Sequence, residues 1–239
     1  MKKTVIIFVS LLFISGTFAQ QGSKRIELMD VIGGTFRQET GVGDVRSLPD
    51  GEHYTQMNSA RNMVIKYSYR TGNPVDTLFN TQKARECTFD TFDDYMISST
   101  GFRIVILRGR ESIYRRSFKS EAFDYDVRRN MVKPLTETGS KVMIPTFSPD
   151  GRMCAYVIDN NIWIKKFDFD TEIQVTKDGA PNQIINGATD WVYEEEFAVT
   201  NLMAWSSDSE YLTFVRFDET DVPEYAMQTY GNGYYPGYY

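Results

Sequence analysis

Ser148-Pro149-Asp150-Gly151, set between two apolar runs, constrains this chain more than any other stretch. Proline presets φ at the second position of a tight turn, aspartate caps the turn through its side chain, and glycine accepts positive φ, so the chain reverses ahead of Met153–Ile158. Asp159-Asn160-Asn161 then precedes a second apolar run over 162–166, and Asn160-Asn161 has the residue types of a two-residue hairpin loop. Related punctuation stands at Leu48-Pro49-Asp50-Gly51, at Phe92-Asp93-Asp94-Tyr95 and at 205–210, each ahead of an apolar run. The aspartates 50, 93, 150 and 208 are spaced as in a four-stranded repeat of roughly 40 to 50 residues with variable loops. One such sheet cannot bury both of its faces, so the units must stack around an axis, and closed propellers hold about four to eight of them. The expected fold is all-β: a partial β-propeller of about four blades over 45–239. Before it lies an entry segment, 20–44, in which Leu28, Val31 and Ile32 fall at helical spacing ahead of Gly33-Gly34 and predict a short helix outside the blades.

Composition narrows the partners. The 26 basic and 32 acidic residues leave a net charge of −6, which argues against a phosphate backbone or an anionic membrane surface as ligand. Aromatic residues make up 14% of the chain, a load that suits strands and excludes low-complexity disorder. One histidine and two cysteines cannot build a four-ligand zinc site of the usual kind, so no metal or other cofactor is expected and chemistry falls to carboxylates, hydroxyls and arginines. Cys154 lies in an apolar strand, and it and Cys87 read as buried free thiols.

The N-terminus reads as an address. Lys2 and Lys3 precede an apolar run over 5–14, and a small-x-small pattern ends at Ala19, so 1–19 is expected to be a signal peptide. That run is about half the roughly twenty residues a membrane-spanning helix needs. The mature protein is expected to be exported to the periplasm or beyond, with no membrane span after cleavage.

Two stretches could carry chemistry. In Asp190-Trp191-Val192-Tyr193-Glu194-Glu195-Glu196-Phe197, Thr189 or Asp190 can cap a short helix whose first turns favour carboxylates. The flanking aromatic residues predict partial burial, so a cation should meet the acids. Successive helix residues point about 100° apart, so two of the three glutamates could reach one primary ammonium while the third packs elsewhere. The second stretch is Tyr114-Arg115-Arg116-Ser117-Phe118, where an arginine fork could serve a carbonyl or a carboxylate. His53 follows a turn and reads as an ordinary edge-strand residue. No Gly-x-Ser-x-Gly elbow or second histidine is present, so no complete catalytic centre is visible.

The glutamate stretch resembles the double-Glu motif of the dipeptidyl peptidase IV family of serine peptidases, in the prolyl oligopeptidase clan. The resemblance extends through Ile26 to Phe36, the Asp50–Tyr54 turn, Tyr114-Arg115, Ser148-Pro149-Asp150-Gly151 and Phe217 to Tyr225. It implies the first half of an eight-bladed propeller, from an enzyme that removes Xaa-Pro or Xaa-Ala dipeptides from free peptide N-termini. By position it implies that Glu195 and Glu196 hold the substrate α-ammonium and that Arg115 reaches the substrate carbonyl and the acids, with Glu194 outside that role. A one-residue shift would put Arg116 in place of Arg115. The family's Ser, Asp and His come from an α/β-hydrolase domain that would lie beyond Tyr239. The expectation is therefore a truncated chain, inactive alone, whose full-length form would act on peptides and form homodimers. A rival reading is a stand-alone periplasmic propeller that binds a partner without catalysis. A glycosidase reading fails because adjacent residues on one helical turn do not span a sugar cleft.

Overall fold

The computed structural model describes residues 25–36, 43–231, 233, 237 and 238. The expected signal peptide lies outside them. Two compact units divide the chain between residues 42 and 43. In the first, helix α1 (Leu28–Ile32) begins with a reciprocal capping box between Glu27 and Asp30 and ends at Gly33, so the predicted short helix is present. Its Leu28, Val31 and Ile32 are exposed.

The second unit is built from consecutive antiparallel meanders. Strands β1 (Arg46–Ser47), β2 (His53–Met57), β3 (Met63–Ser68) and β4 (Pro74–Asn80) form the first four-stranded sheet. Strands β5 (Asp94–Ile97), β6 (Arg103–Ser112), β7 (Phe118–Asp126) and β8 (Met131–Pro134) form the second. The third holds β9 (Met143–Phe147), β10 (Met153–Ile158), β11 (Asn161–Lys166) and β12 (Thr171–Gln174). Beyond it, β13 (Ile184–Asn186) pairs with β16 (Arg216–Asp218), and β14 (Met203–Trp205) with β15 (Leu212–Phe214). This is an all-β architecture of small blade-like sheets. No helix among the described residues is long and apolar enough to cross a membrane.

Side-chain alternation shows how the sheets stack. On β6, Ile104 and Ile106 join a cluster with Val64 and Phe79 of the first sheet, whereas Val105 and Leu107 join one with Cys154 and Tyr156 of the third. On β10, Cys154 and Tyr156 face the second sheet while Ala155 and Val157 pack with Met203 of β14. Both faces of these strands are therefore apolar, and the second and third sheets are each a wall shared by two cores. Full burial of side chains of this size contributes about 1.5 to 3 kcal/mol each, which makes the stack the main source of stability.

The recurring turn is present, and three of the four expected aspartates lie in it. At Asn58, Ser98, Ser148 and Ser206 the backbone N–H donates to the carbonyl five residues on, and that carbonyl's residue donates its own N–H to the marker side chain. Three residues after each marker, Arg61, Gly101, Gly151 and Ser209 take the left-handed conformation with φ between 55° and 73°. Asp150 and Asp208 sit two residues into this motif. Asp50 likewise sits two residues into the turn between β1 and β2, where Leu48 N–H donates to His53 O, His53 N–H donates to Asp50 and Gly51 is left-handed, whereas the Asn58 turn joins β2 to β3. Asp93 lies before β5, where it accepts from the Arg110 N–H and pairs with Arg61. Asp50, Asp150 and Asp208 are thus equivalent positions and Asp93 is not; in the turn of its sheet, at Ser98, Thr100 stands at that place. The hairpin between β10 and β11 is also displaced by one residue from expectation: Ile158 pairs with Asn161, and Asp159-Asn160 make the loop with φ of 49° and 59°. Both cysteines are free, Cys154 fully buried and Cys87 only half-buried.

Candidate functional site

Two excursions from the sheets meet. The first is the β6–β7 hairpin, whose strands run well past their neighbour β5 and close with Ile113 N–H donating to Ser117 O at 2.9 Å. Glu111 on this arm accepts ion pairs from Lys119 and Lys141, at 3.3 and 2.7 Å, and the Arg110 guanidinium lies 4.0 Å above the Phe118 ring. The second excursion runs over 189–200. It is tied at its neck by Leu202 N–H donating to Gly187 O at 2.9 Å and by a bridge between Ala188 and Asn201.

Helix α2 (Trp191–Phe197) occupies the second excursion. The Asp190 carboxylate caps it by accepting from Tyr193 N–H at 2.9 Å, and Ala198 ends it in the left-handed region at φ 57°. With only seven residues the helix has little cooperative stability of its own, so its position depends on tertiary anchors. The flanking aromatics supply few: Trp191 and Phe197 are 55% and 65% exposed, against the expectation of partial burial, and Tyr193 contacts Phe197 and Phe217 from an exposed position.

The three glutamates divide by direction, as consecutive helix residues must. Glu194 points inward and is 1% exposed; its Oε1 accepts from Arg116 N–H at 2.6 Å and Ser117 N–H at 2.9 Å. Burial alone would raise its pKa, but hydrogen bonds from the Ser117 hydroxyl and from these two N–H groups outweigh it and hold the carboxyl below its usual range. Glu195 is half-buried and its Oε1 lies 2.7 Å from Arg115 Nη2. Glu196 is exposed and has no partner among the described residues. Arg115, not its neighbour, therefore supplies the guanidinium, whereas Arg116 contributes its backbone.

Chemically, Glu195, Glu196 and Arg115 leave one uncompensated negative charge beside a fork of N–H donors. That arrangement suits a ligand with one ammonium and a nearby carbonyl or carboxylate oxygen. Helix geometry alone said that one of the three adjacent acids must face away, and the resemblance placed Glu194 outside the ligand-holding pair; the bonds from Arg116 and Ser117 to it were not assigned from the sequence. His53, at the start of β2, has its Nδ1 2.7 Å from Asp50 Oδ2, and among the described residues no serine hydroxyl is hydrogen-bonded to it.

Comparison with known proteins adds a lineage to this geometry. A family model described as dipeptidyl peptidase IV (DPP IV) N-terminal region matches residues 98–239. The crystal structure of Porphyromonas gingivalis dipeptidyl peptidase 4 aligns with a TM-score of 0.83 and 56% identity, covering 91% of this chain and 31% of that one. Human prolyl endopeptidase FAP is 30% identical over 215 residues, which are 89% of this chain and 27% of the relative. The probable dipeptidyl-aminopeptidase B of Podospora anserina is 30% identical over 230 residues, 89% of this chain and 25% of the relative. The chain spans between about a quarter and a third of the length of these proteins.

Proposed function

We propose, because this chain belongs to the dipeptidyl peptidase IV N-terminal-region family, that it is the substrate-gating propeller portion, of about four blades, of an exported serine exopeptidase that removes Xaa-Pro or Xaa-Ala dipeptides. Glu195 and Glu196 hold the α-ammonium of a peptide, and Arg115 turns its fork to the adjacent carbonyl. The observation that carries this reading is the 2.7 Å pair between Arg115 and Glu195 with the unpartnered Glu196 beside it. A free N-terminus brings one positive charge to a site with one negative charge to spare, and anchoring that terminus at a fixed distance from a nucleophile makes cleavage count residues. The only histidine of the sequence is held by Asp50 with no serine on it among the described residues, so this 239-residue chain should release no chromophore from an Ala-Pro amide.

Calorimetry on the purified chain tests the recognition. An Ala-Pro peptide with a free N-terminus should bind about tenfold or more tightly than its N-acetylated form, and the Glu195→Gln, Glu196→Gln variant should erase the difference. Discrimination that survives in the variant defeats the reading and favours a non-catalytic binding module that uses other surfaces.

A further inference from the structure

We infer that Glu194 is the positioning residue of this site: its buried carboxylate, bonded to the Arg116 and Ser117 N–H groups, sets where Arg115 stands against Glu195. The consequence for peptide binding rests on the recognition reading above; the positioning itself does not.

Arg115 lies on a hairpin arm and Glu195 on a seven-residue helix, elements far apart in sequence and without shared strand pairing. Arg115 is 73% exposed along its side chain, so packing does not hold the guanidinium in place. The described backbone hydrogen bonds that run from the hairpin tip to α2 end on one atom, Glu194 Oε1, and they start from the two residues that follow Arg115. Glu194 in turn immediately precedes Glu195. A movement of this joint therefore shifts both partners of the exposed pair, and the pair cannot recover its geometry without it. Three acids in a row thus have two tasks: the inner one joins two elements and the outer two face the ligand.

Length and charge of the residue separate this inference from an electrostatic role. Glu194→Gln keeps a carbonyl oxygen at the same reach, and its amide group can donate to the Ser117 hydroxyl. Glu194→Asp keeps the charge but withdraws it by one methylene. The expected result, read by NMR without any peptide, is that Ser117 amide exchange and Arg115 guanidinium-proton exchange stay within about threefold of wild type in the Gln variant. Both should rise about tenfold or more in Asp and Ala. Glu195→Gln should free the Arg115 guanidinium while leaving the Ser117 amide protected. In peptide titrations, discrimination between free and acetylated N-termini should follow the same order, and Glu194→Ala should add little to Arg115→Ala. Retention by Asp with loss in Gln would show that charge, not placement, matters, and unchanged exchange in Asp and Ala would overturn the inference outright. If Ala does not fold, Asp carries that arm. If wild type ignores acetylation, the recognition reading falls, while the peptide-free exchange rates still decide the positioning role.

Discussion

Glu194 under α2 and Asp124 on β7 are 1% and 6% exposed, yet the first carboxyl is held below its ordinary range while burial pushes the second up to about 6. Asp124 has a guanidinium in direct contact: Arg103 Nη1 lies 2.5 Å from its Oδ2 and Nη2 lies 3.2 Å from Asp126. Arg103 is divided, however, between two acids and the Phe167 ring 4.9 Å away, and Asp126 and Asp170 add like charge. The other oxygen of Asp124, Oδ1, has no hydrogen-bond partner. At Glu194 the main lowering effects are the Ser117 hydroxyl and two N–H groups pointed at one atom, and the Arg116 charge adds a smaller one. At Glu194 directed donors outweigh burial, whereas at Asp124 the shared guanidinium does not.

The largest expected effect would break this contrast at its stronger end. Glu194→Ala removes the acceptor from the Ser117 and Arg116 N–H groups and leaves a small void, a loss of about 4 kcal/mol in denaturant melts at pH 7. A loss under about 1 kcal/mol would mean that the joint contributes little and that water replaces it.

Next is the pH dependence of the joint between the second and third sheets. A carboxyl raised from 3.8 when unfolded to about 6 when folded contributes stability that is fully present below 3.8 and is lost as pH rises through 6. A shift of this size corresponds to about 3 kcal/mol between pH 3.5 and pH 7. Asp124→Asn should abolish that decline and leave the chain more stable at pH 7 than the parent. Glu194 has the opposite sign: its contribution is present above its ordinary range and lost on acidification through its lowered value, so Asp124→Asn should leave the acid limb in place. Melts of both proteins across pH 3 to 8 check this, and parallel profiles would show that Asp124 titrates normally.

The same contrast explains what could be read from the residues. The repeated reversals at Ser148-Pro149-Asp150-Gly151 and at 206–209 were legible because turn chemistry is local. The turn of the same bond pattern at Asn58, between β2 and β3, was not, since Asn58-Ser59-Ala60-Arg61 carries neither proline nor glycine and its left-handed residue is an arginine at φ 55°. That at Ser98 was missed because Thr100 stands where Asp50, Asp150 and Asp208 stand in theirs. The pairing of Arg115 with the glutamate stretch required a family resemblance to suggest it, because the two lie in different excursions of the chain. The exposed state of Trp191 and Phe197 ran against their composition, since apolar type alone does not say which helix face finds a neighbour. The resemblance set Glu194 apart from Glu195 and Glu196, but its task of accepting from the Arg116 and Ser117 N–H groups was not legible, because those donors lie in another excursion of the chain.

The smallest expected effect sharpens the comparison by adding a third carboxylate, Glu195, whose partner is a full charge in solvent. The Arg115–Glu195 pair is short at 2.7 Å, but its guanidinium end is 73% exposed, and water screens the attraction while fixing a long side chain costs entropy. Arg115→Ala should therefore change stability by less than about 1 kcal/mol, a Tm shift of no more than about 2 to 4 °C for a chain of this size. Raising salt from 0.05 to 0.5 M should shrink even that difference, whereas the Glu194 joint, shielded from ions, should show no such dependence. A Tm loss near that of Glu194→Ala, persisting at high salt, would mean that the exposed pair helps to hold α2 in place and would remove the distinction between a residue that positions and one that waits for a ligand.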